Sequence, residues 1–71
     1  MSYKPEIEVN EEGAKNWYPN ALAFATYDEA LASAKDTYSR WMLATGYRAV
    51  ESDETVNYRW VPQVGLVGVE E

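Results

Sequence analysis

Two arginines are the residues of this 71-residue chain best suited to gripping another molecule. Arg48 and Arg59 lie in two similar segments, Tyr47-Arg-Ala-Val50 and Tyr58-Arg-Trp-Val61. A guanidinium is planar, permanently charged and able to bind a carboxylate through two parallel hydrogen bonds. If the two segments pair as a hairpin, the arginines become cross-strand neighbours, and such like charges need an acidic partner.

We expect that acidic partner to come from the chain itself, and an acidic group on another molecule is the alternative. The internal candidates are Glu51, Asp53, Glu6 and Glu8. In the hairpin register centred on Asp53 and Glu54, the two arginines share one open face with a valine and an asparagine. This face is the predicted interaction surface, and its residues are Arg48, Val50, Asn57 and Arg59.

The acidic residues do not form a catalytic pattern. Adjacent acids occur at predicted turns, at a helix start and at the terminus, namely Glu11–Glu12, Asp28–Glu29, Asp53–Glu54 and Glu70–Glu71. General acid–base catalysis needs two carboxylates that face each other in a cleft. The sequence has no histidine, no cysteine, no glycine-rich phosphate loop and no metal-ligand spacing. We therefore predict that the protein is not an enzyme, with no catalytic, cofactor-binding or metal-binding residues.

Charge and hydropathy restrict the choice of partner. Twelve acids against six bases give a net charge of −6. Such a field repels phosphate backbones, so nucleic acid is disfavoured and a basic protein is compatible. No apolar run approaches the ~20 residues of a membrane helix, and the N-terminus lacks a signal-peptide core. We predict a cytoplasmic protein that does not bind a membrane.

One long amphipathic segment organises the chain, running from Thr26 to Thr45. Thr26 and Glu29 have the spacing of a capping box, in which the two side chains satisfy free backbone groups at a helix start. Apolar residues then recur at steps of three and four, which predicts one helix face directed to a core. These residues are Tyr27, Ala30, Leu31, Ala34, Tyr38, Trp41, Met42 and Thr45. Gly46 is predicted to end the helix.

Strands are predicted around this helix. Alternation over residues 1–9 indicates an edge strand or an extended arm, followed by a turn at residues 10–13. Residues 21–25 are predicted to be a short strand with Leu22 and Phe24 inward and Ala23 outward. Residues 47–51 and 56–61 are predicted to pair as a hairpin. Trp17 and Tyr18 are expected to cover one end of the core.

These elements predict one α+β domain over residues 1–71, a two-layer sandwich with the order (β)-β-α-β-β-(β). One helix lies on one face of a small, mostly antiparallel sheet of three to four strands. Residues 1–13 are the edge strand or arm, residues 21–61 the β-α-β-β core, and residues 62–71 a tail or late strand. Because one helix covers one sheet face, the other face must meet water or a partner.

The sequence resembles a group of small bacteriophage and bacterial proteins. The resemblance covers about residues 17–60 and rests on the helix start Phe24-Ala-Thr-Tyr-Asp-Glu-Ala30 and the strand Val56-Asn-Tyr-Arg-Trp60. In that group a similar F-x-T-x-x-E-A helix start precedes a hairpin ending V-N-Y-R-W. The resemblance implies a phage or environmental origin and a bacterial or infected-cell cytoplasm. It implies no activity.

The leading functional prediction is a small non-enzymatic protein-interaction module, an accessory protein that binds a protein partner or associates with itself, a homodimer included. One alternative is a module that binds single-stranded nucleic acid through Arg48, Arg59 and nearby aromatic residues on the open sheet face. A second alternative is an acidic inhibitor that mimics DNA, for which the acids must line up along one surface. No cofactor is expected in any of the three.

Overall fold

A computed structural model describes residues 1–69 of the chain. The elements, in order, are β1 (Ser2–Glu11), β2 (Ala14–Pro19), α1 (Tyr27–Arg40), β3 (Ala44–Ser52), β4 (Tyr58–Val61) and β5 (Gly65–Gly68). The first three strands form an antiparallel sheet with the order β2-β1-β3, and β4 and β5 form a second antiparallel sheet. The helix packs on β1 and β3. The predicted α+β class, with one helix on one face of a small antiparallel sheet, is confirmed.

The start of α1 follows the predicted capping pattern. The Thr26 hydroxyl accepts a hydrogen bond from the Glu29 backbone N–H at 3.2 Å and donates one to the Glu29 carboxylate at 3.0 Å. The second carboxylate oxygen of Glu29 accepts the backbone N–H of Trp60 in β4 at 2.9 Å. One carboxylate therefore stabilises the helix start and also fixes the second sheet to it.

The end of α1 differs from the prediction, because the helix stops at Arg40 rather than Thr45. Trp41 is extended, and Met42 is 98% exposed. Three large apolar residues in succession, Trp41 to Leu43, cannot all lie on one helix face. Gly46 lies within β3, where an added Cβ would come within 3.2 Å of the Glu8 side chain. It therefore permits close strand approach and does not end the helix.

The first strand is central in its sheet, so its prediction as an edge strand or arm is wrong. Two 2.8 Å backbone hydrogen bonds join Tyr3 to Phe24 on the side of β1 away from β3. Because backbone groups alternate sides along a strand, the nitrogen of Pro5 faces that same side. There β2 reaches only as far as Glu6, so the missing N–H of Pro5 costs no ladder bond.

The predicted hairpin between residues 47–51 and 56–61 is also wrong. Ser2–Val9 of β1 is the partner of β3, and β5 is the partner of β4. Beyond β3 the chain passes Ser2, whose hydroxyl donates to the Glu54 carbonyl at 2.6 Å. It then reaches Ala23, whose carbonyl accepts the backbone N–H of Asn57 at 3.0 Å. This route carries β4 away from β3 and places it beside the helix.

The segment before the helix contributes a backbone bridge to the core, and no full strand. Phe24 forms an isolated bridge with Tyr3 and is completely buried, as its inward position predicts. Ala23 was predicted to face outward, but it is buried because Asn57 and Tyr58 cover its backbone. The other buried apolar residues are Pro5, Ile7, Val9, Ala30 and Ala34.

The second and fifth strands complete the two sheets. Glu12 and Gly13, both with positive φ, form the tight turn between β1 and β2 within the predicted turn at residues 10–13. Trp17 and Tyr18, predicted as a cover for the core, belong to β2. A late strand was one of two predictions for residues 62–71, and β5 is that strand. Glu70 and Glu71 of the predicted tail lie outside the described residues.

Candidate interaction surface

Arg48 is held by contacts that span all three strands of the first sheet, with its side chain 45% exposed. Its guanidinium lies 2.7 Å and 2.6 Å, through Nε and a terminal nitrogen, from one carboxylate oxygen of Glu6 in β1. Its charged centre lies 4.0 Å from the ring centroid of Trp17 in β2. The prediction of an internal acidic partner therefore holds for Arg48, with Glu6 as that partner, whereas no ion pair of Arg59 is found within residues 1–69. We call Arg48, Glu6 and Trp17 the back-face clamp, since they lie on the sheet face opposite the helix.

The other three residues of the predicted surface lie in different places. Val50 shares the back face with Arg48 and is half-buried opposite Lys4. Arg59 is exposed in β4 and paired with Val67, so it belongs to the second sheet. The predicted cross-strand contact between Arg48 and Arg59 is wrong, because β3 and β4 are not partners.

Asn57 joins the two parts of the molecule. Its side-chain oxygen accepts the backbone N–H of Ala23 at 2.8 Å, and its amide nitrogen donates to the Ala21 carbonyl at 2.7 Å. All of its amide hydrogen bonds found among residues 1–69 therefore go to one backbone segment. An asparagine is suited to this position because it carries a donor and an acceptor on one rigid group. Asn57 is a structural residue, and the predicted four-residue surface is not continuous.

An exposed apolar turn lies between the helix and β3. We define it as Trp41–Leu43, of which Met42 is 98% and Leu43 68% exposed. The Trp41 ring lies 6.4 Å from the ring of Tyr18 in β2, and both side chains are partly exposed. Contiguous exposed apolar residues often mark a surface that another molecule covers. The sequence prediction missed this surface because it assigned Trp41 and Met42 to the core face of the helix.

The outer edge of β3 begins directly after this turn. Because the Tyr3 backbone faces Phe24, the Lys4 backbone faces β3 and bonds its partner Val50. The residues on either side of Val50 in β3 must then direct their backbone groups away from β1. Within residues 1–69, no hydrogen bond reaches the N–H or C=O groups of Tyr47, Ala49 and Glu51 on that side. We call these three residues the β3 edge.

The start of β3 is irregular, which limits the usable part of this edge. The pairing register shifts between Glu8 and Val9, so Thr45 is an extra residue in β3. Its hydroxyl donates to the Glu8 carboxylate at 3.0 Å. A bulge of this kind bends a strand and disrupts its ladder. The regular part of the β3 edge therefore runs from Tyr47 to Glu51.

Three ion pairs join bases to acids within residues 1–69. Lys4 and Glu54 are 2.5 Å apart, Arg40 and Asp36 are 2.6 Å apart, and the third is the pair in the back-face clamp. These pairs use three of the six bases, and the net charge of the chain is −6. The remaining surface field is thus predominantly acidic.

An open surface cavity and a tyrosine with a shifted pKa are found among the described residues. One open surface cavity, of about 680 Å³, is lined by residues 53–57 and Val69. No three acidic side chains within residues 1–69 are grouped so that they could hold a metal ion. A hydrogen bond to Glu11 raises the pKa of the partly exposed Tyr18 above its ordinary value of 10.0. No helix in this part of the chain is long and apolar enough to cross a membrane.

Comparisons with known proteins give no match to a protein-family model, a curated protein or a solved structure. The resemblance of residues 17–60 to small phage and bacterial proteins therefore stays a prediction.

Proposed function

We propose that this protein is a non-enzymatic interaction module that binds another protein chain along the β3 edge. The observation that carries the proposal is the row of three residues, Tyr47, Ala49 and Glu51, whose outward backbone groups have no hydrogen-bond partner within residues 1–69. Such a row is a template on which an extended segment can add as a further strand. Backbone hydrogen bonds supply the attachment in this mode of binding.

The adjoining apolar turn supports the same surface. Met42 and Leu43 immediately precede β3, and they are exposed to 98% and 68%. A strand that pairs with β3 can bring further apolar side chains over this turn and remove it from water. Pairing with β3 fixes the direction of the bound strand, and contact with the apolar turn increases the apolar area that binding buries.

An accessory role in a phage or its bacterial host is the biological context that we propose, on the basis of the resemblance of residues 17–60. The nucleic-acid alternative is less favoured. It relies on Arg48, which is engaged with Glu6 and Trp17, and on Arg59, which lies in the other sheet. The alternative of a DNA mimic has no further observation in its favour.

A proline at the edge provides the test. Glu51→Pro removes one outward N–H while leaving the bonds between β1 and β3 intact, and Glu51→Gln is the control for the lost charge. Tagged wild type and both variants are used to capture proteins from a host lysate, and light scattering measures their self-association. We expect wild type and Glu51→Gln to bind a protein or to self-associate, and Glu51→Pro to lose that binding at least tenfold. Equal binding by all three, with circular dichroism showing folded protein, contradicts the proposal.

A further inference from the structure

We infer that the occupant of the β3 edge is a second copy of this chain, paired antiparallel about a twofold axis at Ala49. This inference rests on the proposed function, because it names the partner of the same edge. The result is a six-stranded sheet with the order β2-β1-β3-β3-β1-β2. A twofold axis makes the contact closed, so association stops at the dimer.

The backbone of β3 restricts how two copies can pair. In an antiparallel ladder, a residue with outward backbone groups must face another such residue. With the axis at Ala49, this residue faces itself, and Tyr47 faces Glu51 of the second copy. All three residues of the β3 edge then form hydrogen-bonded pairs, and no outward group between Tyr47 and Glu51 remains without a partner.

The side chains also suit this register. Tyr47 and Glu51 point to the helix face, so the Tyr47 phenol of one copy lies across from the Glu51 carboxylate of the other, where it can donate a hydrogen bond. On the back face Arg48 lies across from Val50, and its charge is already compensated by Glu6. The small Ala49 side chains meet at the axis. No like charges are directly opposite.

Neighbouring registers are poorer. An axis at Arg48 places two guanidiniums opposite each other in a closely spaced pair. An axis at Tyr47 requires Thr45 to pair, but Thr45 lies in the bulge and is bonded to Glu8. An axis at Val50 pairs only Ala49 and Glu51, and it leaves Tyr47 outside the ladder. Of these registers, only the one with the axis at Ala49 pairs all three residues of the β3 edge and places no like charges opposite each other.

The salt dependence of binding distinguishes a second copy of this chain from a basic protein partner. Two copies that each carry −6 repel, and added salt screens this repulsion. Self-association should therefore strengthen as salt rises, whereas binding to a basic protein should weaken. A rise in the dimerisation constant between 50 mM and 500 mM sodium chloride is the expected sign of a homodimer.

Cysteine cross-linking tests the register directly, since the chain has no native cysteine. With the axis at Ala49, Ala49→Cys places two Cα atoms about 5.5 Å apart, within disulfide range. Glu51→Cys is the matched control, because its two copies are offset by four residues along the strand, or about 13 Å. Under mild oxidation we expect Ala49→Cys to form disulfide dimers at least tenfold faster than Glu51→Cys.

Sedimentation velocity on wild type, Glu51→Pro and Glu51→Gln completes the experiment. A salt-strengthened dimer that Glu51→Pro converts to monomer, with fast Ala49→Cys cross-linking, supports the inference. A monomeric wild type with equally slow cross-linking overturns it, and the proposed function still stands if lysate capture depends on Glu51→Pro. A dimer that is insensitive to Glu51→Pro and cross-links slowly at Ala49→Cys overturns both.

Discussion

The three-stranded sheet has two free edges, β2 and β3, and they differ in how well they are protected. The residues of β2 that face away from β1 are Lys15, Trp17 and Pro19, of which Pro19 has no N–H. On β3 the corresponding residues are Tyr47, Ala49 and Glu51, whose outward donors and acceptors have no partner within residues 1–69. The same central strand thus has one neighbour whose edge is partly blocked, at Pro19, and one whose edge is open.

The difference shows that whether an edge is open depends on which residues direct their backbone groups outward. The exposure of the strand alone does not determine it. β2 is the more exposed strand by side chains, yet it has six residues and includes a lysine and a proline on its free side. Lysine and proline are common means of preventing unwanted strand addition. β3 has nine residues and neither of them. Exposure of side chains alone therefore does not distinguish a protected edge from an open one.

Proline substitutions on the two sides of β3 should differ most in their effect on the free energy of unfolding. Val50→Pro removes the N–H that faces β1 and leaves the carbonyl of the buried Lys4 without its partner. We expect a loss of about 3 kcal/mol or more in the free energy of unfolding. Glu51→Pro, whose N–H faces outward, should cost less than about 1 kcal/mol in the monomer. Urea unfolding measures both, and equal losses would show that the two sides of β3 are not distinct.

The back-face clamp should make a smaller contribution to the free energy of unfolding. It does so by holding β2 and β3 to the central strand β1. Arg48→Ala removes the ion pair with Glu6 and the contact with Trp17, and we expect it to cost about 1–2 kcal/mol. Arg48→Lys keeps the charge but loses the planar stacking, so its cost should be about half. Thermal unfolding provides the measurement. An unchanged melting temperature for Arg48→Ala would mean that the clamp does not couple the three strands.

Opening the protected edge should have a modest effect on association. In the Glu51→Pro background, Pro19→Thr restores an outward N–H to β2 without a change in charge. One added edge hydrogen bond is worth about 1 kcal/mol, so we expect roughly fivefold stronger self-association. Sedimentation velocity compares this double variant with Glu51→Pro alone. If the two associate equally, Pro19 is not what keeps β2 unpaired.

The smallest expected effect concerns the contact between Tyr18 of β2 and Glu11 of β1. The hydrogen bond to Glu11 raises the pKa of Tyr18, so this contact favours the folded state below pH 10 and is lost as the pH rises through the raised value. Ultraviolet titration of wild type, Tyr18→Phe and Glu11→Gln tests this. Tyr18→Phe should remove one high-pH transition, and Glu11→Gln should return it toward 10. An unaltered titration in Glu11→Gln would exclude the contact.

Local patterns in the sequence were sufficient for the class and order of the elements. The Thr26–Glu29 cap and the turn at residues 10–13 follow from local spacing. The charge of Arg48 predicted an internal acidic partner, with Glu6 as one of four candidates. The strand partners did not follow, because residues 47–51 and 56–61 have the pattern of a hairpin while their partners lie elsewhere. The hydrogen bonds from the side chains of Ser2 and Asn57 to backbone segments more than thirty residues away leave no local pattern.

The candidate surface was harder to predict than the fold. Arg48 and Asn57 were selected as exposed polar residues, but their partners Glu6 and Ala23 make them structural. The exposed turn was missed because the helical period continues through Trp41 and Met42 after the chain has left the helix. Whether a strand has an open edge depends on which strands pair with it in the sheet. The periodicity of residues within one segment contains no information about that pairing.

The Glu29 carboxylate has a consequence for the way the molecule opens. It contacts both the Thr26 hydroxyl and the Trp60 backbone, so the first helical turn and the β4–β5 pair share one attachment. If the first helical turn or the β4–β5 pair separates from the Glu29 carboxylate, the attachment of the other is weakened. The helical turn and the β4–β5 pair therefore form one cooperative unit of local unfolding. Amide protons of Glu29 and Trp60 should consequently exchange with deuterium at closely similar free energies of opening, although thirty-one positions separate them in the chain.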